Sequence, residues 1–383
     1  MNSFVQRSPL MKLILRDNVL ELLPAELKLL GIQHPLIISG HKAMQSPLYG
    51  RLKETLCAMP ALFSQPVPAH SSVSIVEDMA AQAKDDGVDG LIALGGGSAS
   101  DSTKAVALLM AEGGRLIDHA SQFTPPSTLH VPVLLRPKMP IVSIPCTASG
   151  AEATVSLGVR DEEGRKLLFT DFQLASRLIL IDPLANLDVP AKLMLSTGMN
   201  GLAHCIEGLY SLERAPMAET LALDALVRFF KVLPAVQKHP NERQHRAELL
   251  YAAHLSGLVL VHARTCLHHA ICHAIGSVCG VGHGDANSVM LPHALAFNSE
   301  ATASALSRAA RILDCGSDAS DFLRALKVLQ EQTSVPQRLR DIGVGYKTLD
   351  RIATKTMGER GLYFNPRHVN DASEIRQLLE QAY

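Results

Sequence analysis

Residues 91–105 read LIALGGGSASDSTKA, and this stretch indicates how the first half of the chain folds. Apolar residues typical of a buried strand lead into Gly95, Gly96, Gly97 and Ser98, and a helix is predicted from about Ser100. Glycines let backbone N–H groups approach a phosphate closely, and the N-terminus of the following helix favours an anion. The pattern is neither GxGxxG nor GxxxxGKS/T, and a tight strand-to-helix turn without a ligand would also require glycines. Both interpretations stay open on this stretch alone.

Apolar segments on both sides of this stretch predict a parallel sheet. They contain β-branched residues and are bounded by Gly or Pro, as buried parallel strands are, at residues 35–40, 90–98, 140–145 and 177–183. Intervening segments, including residues 76–87 and 101–114, have the residue pattern of helices. The alternation predicts a Rossmann-like α/β domain, which we place at residues 1–188.

The rest of the chain has a different pattern. After Pro190 the apolar residues recur at helical spacing only, which predicts an all-helical C-terminal domain over residues 189–383. Residues 113–139 are too irregular for a helix or strand and too long for an ordinary connection. We interpret them as a surface insertion.

A second loop, IPCTASGAEAT at residues 144–154, also follows a predicted strand. Thr147 and Ser149 could hydrogen-bond a ribose or a phosphate, although capping of a following helix is the simpler explanation for either residue alone. Parallel α/β sheets bind ligands at the carboxyl ends of their strands, where both loops fall. Together the two loops favour a dinucleotide.

Composition limits the kind of protein. The chain has 383 residues, 47% of them hydrophobic, which is enough for two domains. Its 36 basic and 37 acidic residues give a net charge of -1 without long runs of either sign, so a nucleic-acid partner is not expected. No segment has the apolar length of a signal peptide or a membrane span, so we expect a cytoplasmic protein that does not associate with membranes. Seven cysteines without a CxxC pair predict reduced thiols.

Histidines are concentrated in the helical half, in TGMNGLAHCIEGLY (197–210) and LHHAICHAIGSVCGVGHGDAN (267–287). Asn200 and His204 are four residues apart, as are His269 and His273, so each pair shares one helical face, and His283 follows. Each histidine alone is more simply a core residue, but the spacing predicts a cluster. With an aspartate at position 200 it would suit a divalent metal, whereas an amide supplies no charge. Neutral clustered imidazoles could instead act as general acids near pH 7.

GGGSASDSTKA, GMNGLAHCIE and HAICHAIGSVCGVGHGDANSVMLPHALAFN resemble the signature segments of the iron-containing, or group III, alcohol dehydrogenase superfamily. The resemblance extends from about residue 13 to the C-terminus. It implies a dehydroquinate synthase-like architecture, a small-molecule substrate and a homodimer. It also implies that the glycine-rich loop binds the pyrophosphate of NADH or NADPH, and that the family's metal ligands fall on Asn200, His204, His269 and His283.

Several segments are more similar to the maleylacetate reductase branch, which works without a metal and reduces maleylacetate to 3-oxoadipate in aromatic degradation. Asn200 is typical of that branch, and IPCTASGAEAT and the C-terminal NPRHVNDASEIRQLLEQAY also resemble it. The leading hypothesis is therefore a metal-independent NAD(P)H reductase of an unsaturated keto acid. The alternatives are an alcohol dehydrogenase that binds Fe²⁺ or Zn²⁺ despite Asn200, and a non-catalytic nucleotide-binding relative.

The resemblance also suggests coenzyme-binding residues. They are Gly95, Gly96, Gly97, Ser98, Asp101, Thr147, Ser149 and Lys166. Gly40 stands where NAD-preferring relatives place an acid, and His41 and Lys42 could pair with a 2′-phosphate. This predicts that the protein accepts NADPH. The alternative is that residues 40–42 form a solvated turn without a ligand. Arg16 and Asn18 occupy positions where the family usually has glycine.

In the helical half, His269 and His273 are the leading candidates for proton donors or substrate anchors, and His204 and His283 complete the pocket. Further residues are candidates for binding the substrate, chiefly through its carboxylate. They are Asn200, Arg264, His268, Tyr363 and Arg367.

Overall fold

The computed structural model describes residues 4–69, 71–125 and 127–383. The chain divides into two compact units. The sheet unit comprises Ser8–Gln122 and His130–Val189. The helical unit comprises Pro190–Tyr383 together with Phe123–Leu129 and Met1–Arg7. The predicted fold class is confirmed, because a parallel α/β unit is followed by a helical one.

The sheet unit is built on six parallel strands, with bounds Lys12–Leu15 (β1), Pro35–Ser39 (β2), Leu62–Phe63 (β3), Gly90–Gly95 (β4), Ile141–Pro145 (β7) and Leu178–Ile181 (β10). Their order across the sheet is β1-β10-β7-β4-β2-β3. The four predicted strands are all present. The short edge strands β1 and β3 are additional, and they carry too few residues to give a clear pattern.

Helices cover both faces of this sheet. They are Leu23–Leu29 (α1), His41–Met44 (α2), Pro47–Thr55 (α3), Val73–Asp85 (α4) and Gly97–Glu112 (α5). Leu36 and Ile38 belong to the core beneath α4 and α5, whereas Ile37 belongs to the core beneath α1 and α3. Successive strand residues therefore point to opposite buried faces, which explains why the strands are apolar throughout.

Two helices begin earlier than predicted. The N-cap of α4 is Ser72, whose side chain accepts a hydrogen bond from the backbone N–H of Ile75. The first residue of α5 is Gly97, not Ser100. The glycine run therefore forms the end of β4 and the first turn of α5, without a separate loop.

The expectation that residues 113–139 lack regular structure is wrong. A 3₁₀ helix spans Leu116–His119, and strands Gln122–Thr124 (β5) and Thr128–His130 (β6) form a two-stranded sheet. These elements are shorter than the period over which an apolar pattern can be recognised. A second two-stranded sheet is the antiparallel hairpin of Ser156–Arg160 (β8) and Lys166–Thr170 (β9).

The helical unit contains the remaining helices. They are Ala191–Tyr210 (α6), Pro216–Lys238 (α7), Arg243–His262 (α8), Leu267–Cys279 (α9), His283–Ile312 (α10), Ala319–Thr333 (α11), Leu349–Thr356 (α12) and Ala372–Gln381 (α13). One core is formed by apolar side chains of α9, α10, α12 and α13. All seven cysteines are free thiols. Among the described residues, no helix combines the length and apolarity that crossing a bilayer requires.

Candidate active site

The two loops predicted to bind a dinucleotide are in direct contact. They follow the neighbouring strands β4 and β7, and the backbone N–H of Cys146 donates to the carbonyl of Gly95 at 2.8 Å. A Cβ on Gly96 would lie 3.0 Å from Cγ2 and Oγ1 of Thr147, so a side chain there would fill the space between the loops. The pair of loops therefore forms a cradle of backbone and hydroxyl groups that suits a phosphate.

The hydroxyls of Thr147 and Ser149 do not cap a helix. The 3₁₀ helix Ala151–Ala153 begins after Gly150 and has no side-chain cap. Instead the two hydroxyl oxygens lie 3.3 Å apart. Capping is therefore not the reason for these residues, which leaves the ligand hypothesis for this loop.

Asp101 and Lys166 come together beside the first turns of α5. Oδ2 of Asp101 accepts from the backbone N–H of Gly158 at 3.2 Å, and the stem of Lys166 occupies the space that a Cβ on Gly158 would need. Burial raises the pKa of Asp101, while the charges of Lys104 and Lys166 act in the opposite direction. The structure thus brings both predicted residues to the helix that follows the glycine loop.

The remaining predicted coenzyme residues lie at the end of β2, the strand beside β4. Gly40 precedes α2, and His41 and Lys42 are exposed on it.

Asn18 adopts a left-handed conformation with φ 53°, so it takes the backbone geometry that glycine allows most readily. Arg16 points outward and pairs with Glu21 at 3.0 Å.

Lys104 and Glu152 form a buried polar centre, and neither is among the predicted site residues. Nζ of Lys104 donates to the carbonyls of Ala151 and Thr154 at 2.6 and 2.8 Å and to Oγ1 of Thr154 at 2.9 Å. Burial lowers the pKa of Lys104 to about 8 and raises that of Glu152 to about 7. A lysine inside an apolar helix is the sequence signal for such a centre. The hydrogen bonds from Lys104 join α5 to the turn that carries Glu152.

In the helical unit, Asn200 and the four clustered histidines converge. The rings of His204 and His269 stack with centroids 4.8 Å apart, and those of His273 and His283 stack at 5.3 Å. The ring of His269 is 5.7 Å from that of His283, and its Nε2 lies 3.2 Å from Oδ1 of Asn200. The sequence prediction that these residues cluster agrees with this geometry.

Packing at the start of α10 explains how His283 reaches the cluster. His283 is the first residue of α10, and a Cβ on the next residue, Gly284, would lie 2.7 Å from the carbonyl carbon of Ser196. The first turn of α10 therefore lies directly against α6, which carries Asn200 and His204. Only glycine permits this approach.

Glu207 is a further member of the cluster and is absent from the predicted residues. It is fully buried, and its Oε2 lies 2.6 Å from Nδ1 of His269. Its Oε1 accepts from the backbone N–H of His268 at 2.9 Å, so a carboxylate on α6 satisfies the first turn of α9. Burial raises the pKa of Glu207. The charge of His268 and hydrogen bonds from the backbone of residues 266, 268 and 269 act in the opposite direction. The spacing of Asn200, His204 and Glu207 along one helical face was the available signal.

His273 has its own carboxylate partner. Oε2 of Glu359 lies 3.2 Å from Nδ1 of His273, and both side chains are partly accessible, at 14% and 13%. By contrast, 2% of the His269 side chain is exposed. His273 is therefore the more accessible of the two predicted proton donors.

The structure encloses one predicted substrate contact, His268, and gives another, Arg367, structural partners. His268 is fully buried, its Nε2 lies 3.1 Å from the carbonyl of Asn287, and burial lowers its pKa to about 4. A neutral, enclosed imidazole cannot bind a substrate carboxylate. The guanidinium of Arg367 lies over the ring of Phe297, 3.5 Å from its centroid, and pairs with Glu374 at 3.3 Å. Arg367 is thus engaged in structural contacts.

Arg264 and Tyr363 remain available as substrate contacts. Arg264 lies just before α9 and is half-buried. Tyr363 is 37% exposed, and its ring packs edge-on against Phe123 at 6.4 Å. Both residues belong to the helical unit that holds the histidine cluster.

The donor set at Asn200, His204, His269 and His283 is a poor match for a divalent cation. Three imidazoles and an amide bring no negative charge, and the nearby carboxylate, Glu207, lies at Nδ1 of His269 while Asn200 faces Nε2. A carboxylate in the place of Asn200 would neutralise part of the cation's charge, which an amide oxygen does not.

The sequence matches the family model for iron-containing alcohol dehydrogenase over residues 11–183 and that for the C-terminal part of the Fe-containing alcohol dehydrogenase family over residues 194–383. The chain belongs to the iron-containing alcohol dehydrogenase family. A maleylacetate reductase of Pseudomonas sp. strain P51 is 31% identical over 364 residues, which cover 95% of this chain and 93% of that protein. One from Pseudomonas knackmussii is 28% identical over 377 residues, covering 98% and 96%.

A solved structure agrees with these relatives. The crystal structure of maleylacetate reductase from Agrobacterium tumefaciens matches with a TM-score of 0.83 and 26% identity, covering 100% of this chain and 99% of that one. This member of the iron-containing alcohol dehydrogenase family is accordingly an NAD(P)-dependent oxidoreductase. The alternative of a non-catalytic relative is therefore set aside.

Proposed function

We propose that the protein is a metal-independent NAD(P)H-dependent reductase of an unsaturated keto acid, with maleylacetate as substrate and 3-oxoadipate as product. The observation that carries this proposal is Asn200, whose amide oxygen faces Nε2 of His269 at 3.2 Å where a metal site needs a carboxylate. The relatives named maleylacetate reductase, similar over nearly the whole chain, support the substrate.

In this proposal the sheet unit binds the coenzyme. Gly96 and Thr147 form the cradle for the pyrophosphate. Asp101 lies in the first turns of α5, and Lys166 of β9 packs against Gly158, whose backbone N–H donates to Asp101. Gly40 presents no carboxylate that would repel a 2′-phosphate, so we expect turnover with NADPH as well as NADH. A coenzyme bound there supplies hydride.

His273 is the proposed proton donor. Glu359 accepts a hydrogen bond from Nδ1, so the proton that the imidazolium form of the ring can deliver to a carbanion or enolate is the one on Nε2. Glu359 is thus a positioning residue, because it fixes the ring and its tautomer without touching the substrate. The enone of an unsaturated keto acid is already polarised, so reduction needs a proton donor and an anchor for the carboxylate more than a Lewis acid.

A metal-dependent alcohol dehydrogenase with Fe²⁺ or Zn²⁺ is the second candidate. One observation favours it: Glu207 holds Nδ1 of His269 at 2.6 Å, as carboxylates commonly do behind metal-binding histidines. In that case Asn200, His204, His269 and His283 would hold the cation, which would polarise a carbonyl group.

Metal analysis separates the two candidates. Bound iron and zinc should be measured in the purified enzyme, and NADH and NADPH oxidation with maleylacetate should be followed before and after chelation. We expect far less than one metal ion per chain and the same turnover after chelation. A stoichiometric metal whose removal abolishes turnover and whose return restores it would establish the second candidate instead.

Substitutions at His273 and Glu359 test the proton donor. His273→Ala should lower kcat about a hundredfold or more, the usual contribution of a general acid. Glu359→Ala should lower kcat with little change in KM, whereas Glu359→Gln still offers an acceptor to Nδ1 and should restore part of the loss. If Glu359→Gln and Glu359→Ala have equal kcat values, orientation through this hydrogen bond is not the role of Glu359.

A further inference from the structure

A short segment near the C-terminus is fixed against the start of α9. The backbone N–H of Leu212 and the thiol of Cys266 both donate to the carbonyl of Phe364, at 3.0 and 3.4 Å. A Cβ on Gly361 would lie 2.6 Å from the carbonyl oxygen of Cys266, so the two backbones touch at this point. The neighbouring Arg360 is thereby held beside Arg264, which precedes Cys266 by two residues.

Several arginines elsewhere in the helical unit are paired with carboxylates, whereas, within the described ranges, Arg264 and Arg360 are not. Arg228, Arg308, Arg324, Arg367 and Arg376 each pair with a carboxylate. In the described part of the chain, Arg264 and Arg360 make no ion pair, and the guanidinium hydrogen bond of Arg264 is to the carbonyl of Ala263 at 3.2 Å.

The local electrostatics disfavour two positive charges here. Burial lowers the pKa of Arg360 to about 10, with a further contribution from the charge of Arg264. Burial also lowers the pKa of Arg264. The charge of Glu359 raises the pKa of Arg360, and that of the exposed Glu213 raises the pKa of Arg264, but burial outweighs both. An anion between the two side chains would relieve the repulsion.

We infer that Arg264 and Arg360 together bind a carboxylate group of the substrate. Two planar guanidinium forks can each donate paired hydrogen bonds to carboxylate oxygens, which a lysine or a neutral side chain cannot do. The adjacent residue, Glu359, contacts the proposed proton donor His273 at 3.2 Å, so the anion would lie next to the site of protonation. The inference rests on the proposed function and specifies its substrate class as a carboxylic acid, which excludes simple alcohols and aldehydes as preferred substrates.

Binding of an unreactive probe tests the pair without turnover. Calorimetry should compare succinate with 1,4-butanediol, its uncharged counterpart, on the NADH-loaded enzyme. We expect succinate to bind with one site per chain and butanediol not to bind measurably. Arg264→Gln and Arg360→Gln should each weaken succinate binding about tenfold or more, the usual effect of losing hydrogen bonds to a charged group. Arg228→Gln is the matched control, because Arg228 pairs with Asp224 and Glu248 in the same unit, and it should leave the affinity unchanged.

Further variants keep the result interpretable if a glutamine variant folds poorly. Arg264→Lys and Arg360→Lys retain the charge and lose the fork, so they should bind succinate with intermediate affinity. Succinate affinity that stays within twofold of the parent in all four variants would overturn the inference, as would equal binding of butanediol or no binding of succinate to the parent enzyme.

Kinetics distinguish this inference from the proposed function. With maleylacetate, Arg360→Gln should raise KM about tenfold or more while kcat changes less than about threefold. If maleylacetate is reduced but KM is unaffected, the carboxylate site is wrong and the proposed function stands. If succinate binding depends on both arginines but maleylacetate is not reduced, the site stands and the proposed substrate is wrong.

Discussion

Replacement of Glu207 should cost the helical unit several kcal/mol. Its carboxyl group lies 2.6 Å from Nδ1 of His269 and accepts from the backbone N–H of His268 at 2.9 Å, all within a buried environment. Glu207→Ala removes the carboxylate partner of both groups, at about 1–3 kcal/mol each. It also removes one buried methylene, worth about 0.8 kcal/mol. Taking about 2 kcal/mol for each group, we expect a total loss of about 5 kcal/mol.

Glu207→Gln should cost much less, about 1 kcal/mol. Its amide oxygen can still accept from the N–H of His268, and its NH₂ group can donate to Nδ1 of His269. This substitution would move the His269 proton to Nε2, which faces Oδ1 of Asn200. The two variants therefore separate the hydrogen bonds from the negative charge of the carboxylate.

Urea unfolding followed by circular dichroism measures these losses, with the free energy obtained by linear extrapolation. Glu248→Ala is a suitable control because Glu248 pairs with Arg228 at 2.9 Å on the surface of the same unit, where such pairs contribute about 0–1 kcal/mol. A Glu207→Ala protein as stable as the Glu248→Ala protein would refute the account of Glu207 as the residue that holds α9 and His269 in place.

Three further predictions concern the sheet unit. The pKa of Glu152 rises from 4.5 to about 7 on folding, so the free energy of unfolding should fall by about 3 kcal/mol as the pH rises from 4.5 to 7. Glu152→Gln should abolish this fall. The pKa of Lys104 is lowered from 10.5 to about 8, so stability should rise again from pH 8 to 10.5, measured by urea unfolding across pH. Gly96→Val should weaken NADH binding at least about tenfold, because the new side chain would collide with Thr147 in the loop cradle. Gly50→Ala is the control and should not weaken binding, because a Cβ on Gly50 meets nothing within 4 Å. Equal NADH affinities of the two variants, measured by fluorescence titration, would disprove the cradle.

Much of the sheet unit could be predicted because its strands are buried on both faces. Residues 35–39 and 90–95 are apolar at almost every position and end at glycine or serine, which makes them recognisable without knowledge of their neighbours. Strands β5 and β6 have three residues each, too few for any period. These two strands were not predicted because they are too short to show an alternating pattern.

The histidine cluster was predictable because its members lie at helical spacing in two short segments. The prediction for His268 was wrong because neighbouring residues on a helix point about 100° apart, so that His269 faces the cluster while His268 faces the core. Glu359 is 86 positions from His273, and no local pattern joins residues at that separation. Contacts of this kind depend on tertiary packing.

The 3₁₀ turn Arg360–Phe364 and the residue before it carry the partner of His273, one of the two proposed carboxylate ligands and Tyr363. None of these residues belongs to the helices that hold the histidines. Exchanging residues 360–363 and keeping Glu359 would therefore change which acids are accepted, while the proposed proton donor His273 keeps its partner. A library confined to these few positions would be a compact starting point for redirecting the enzyme.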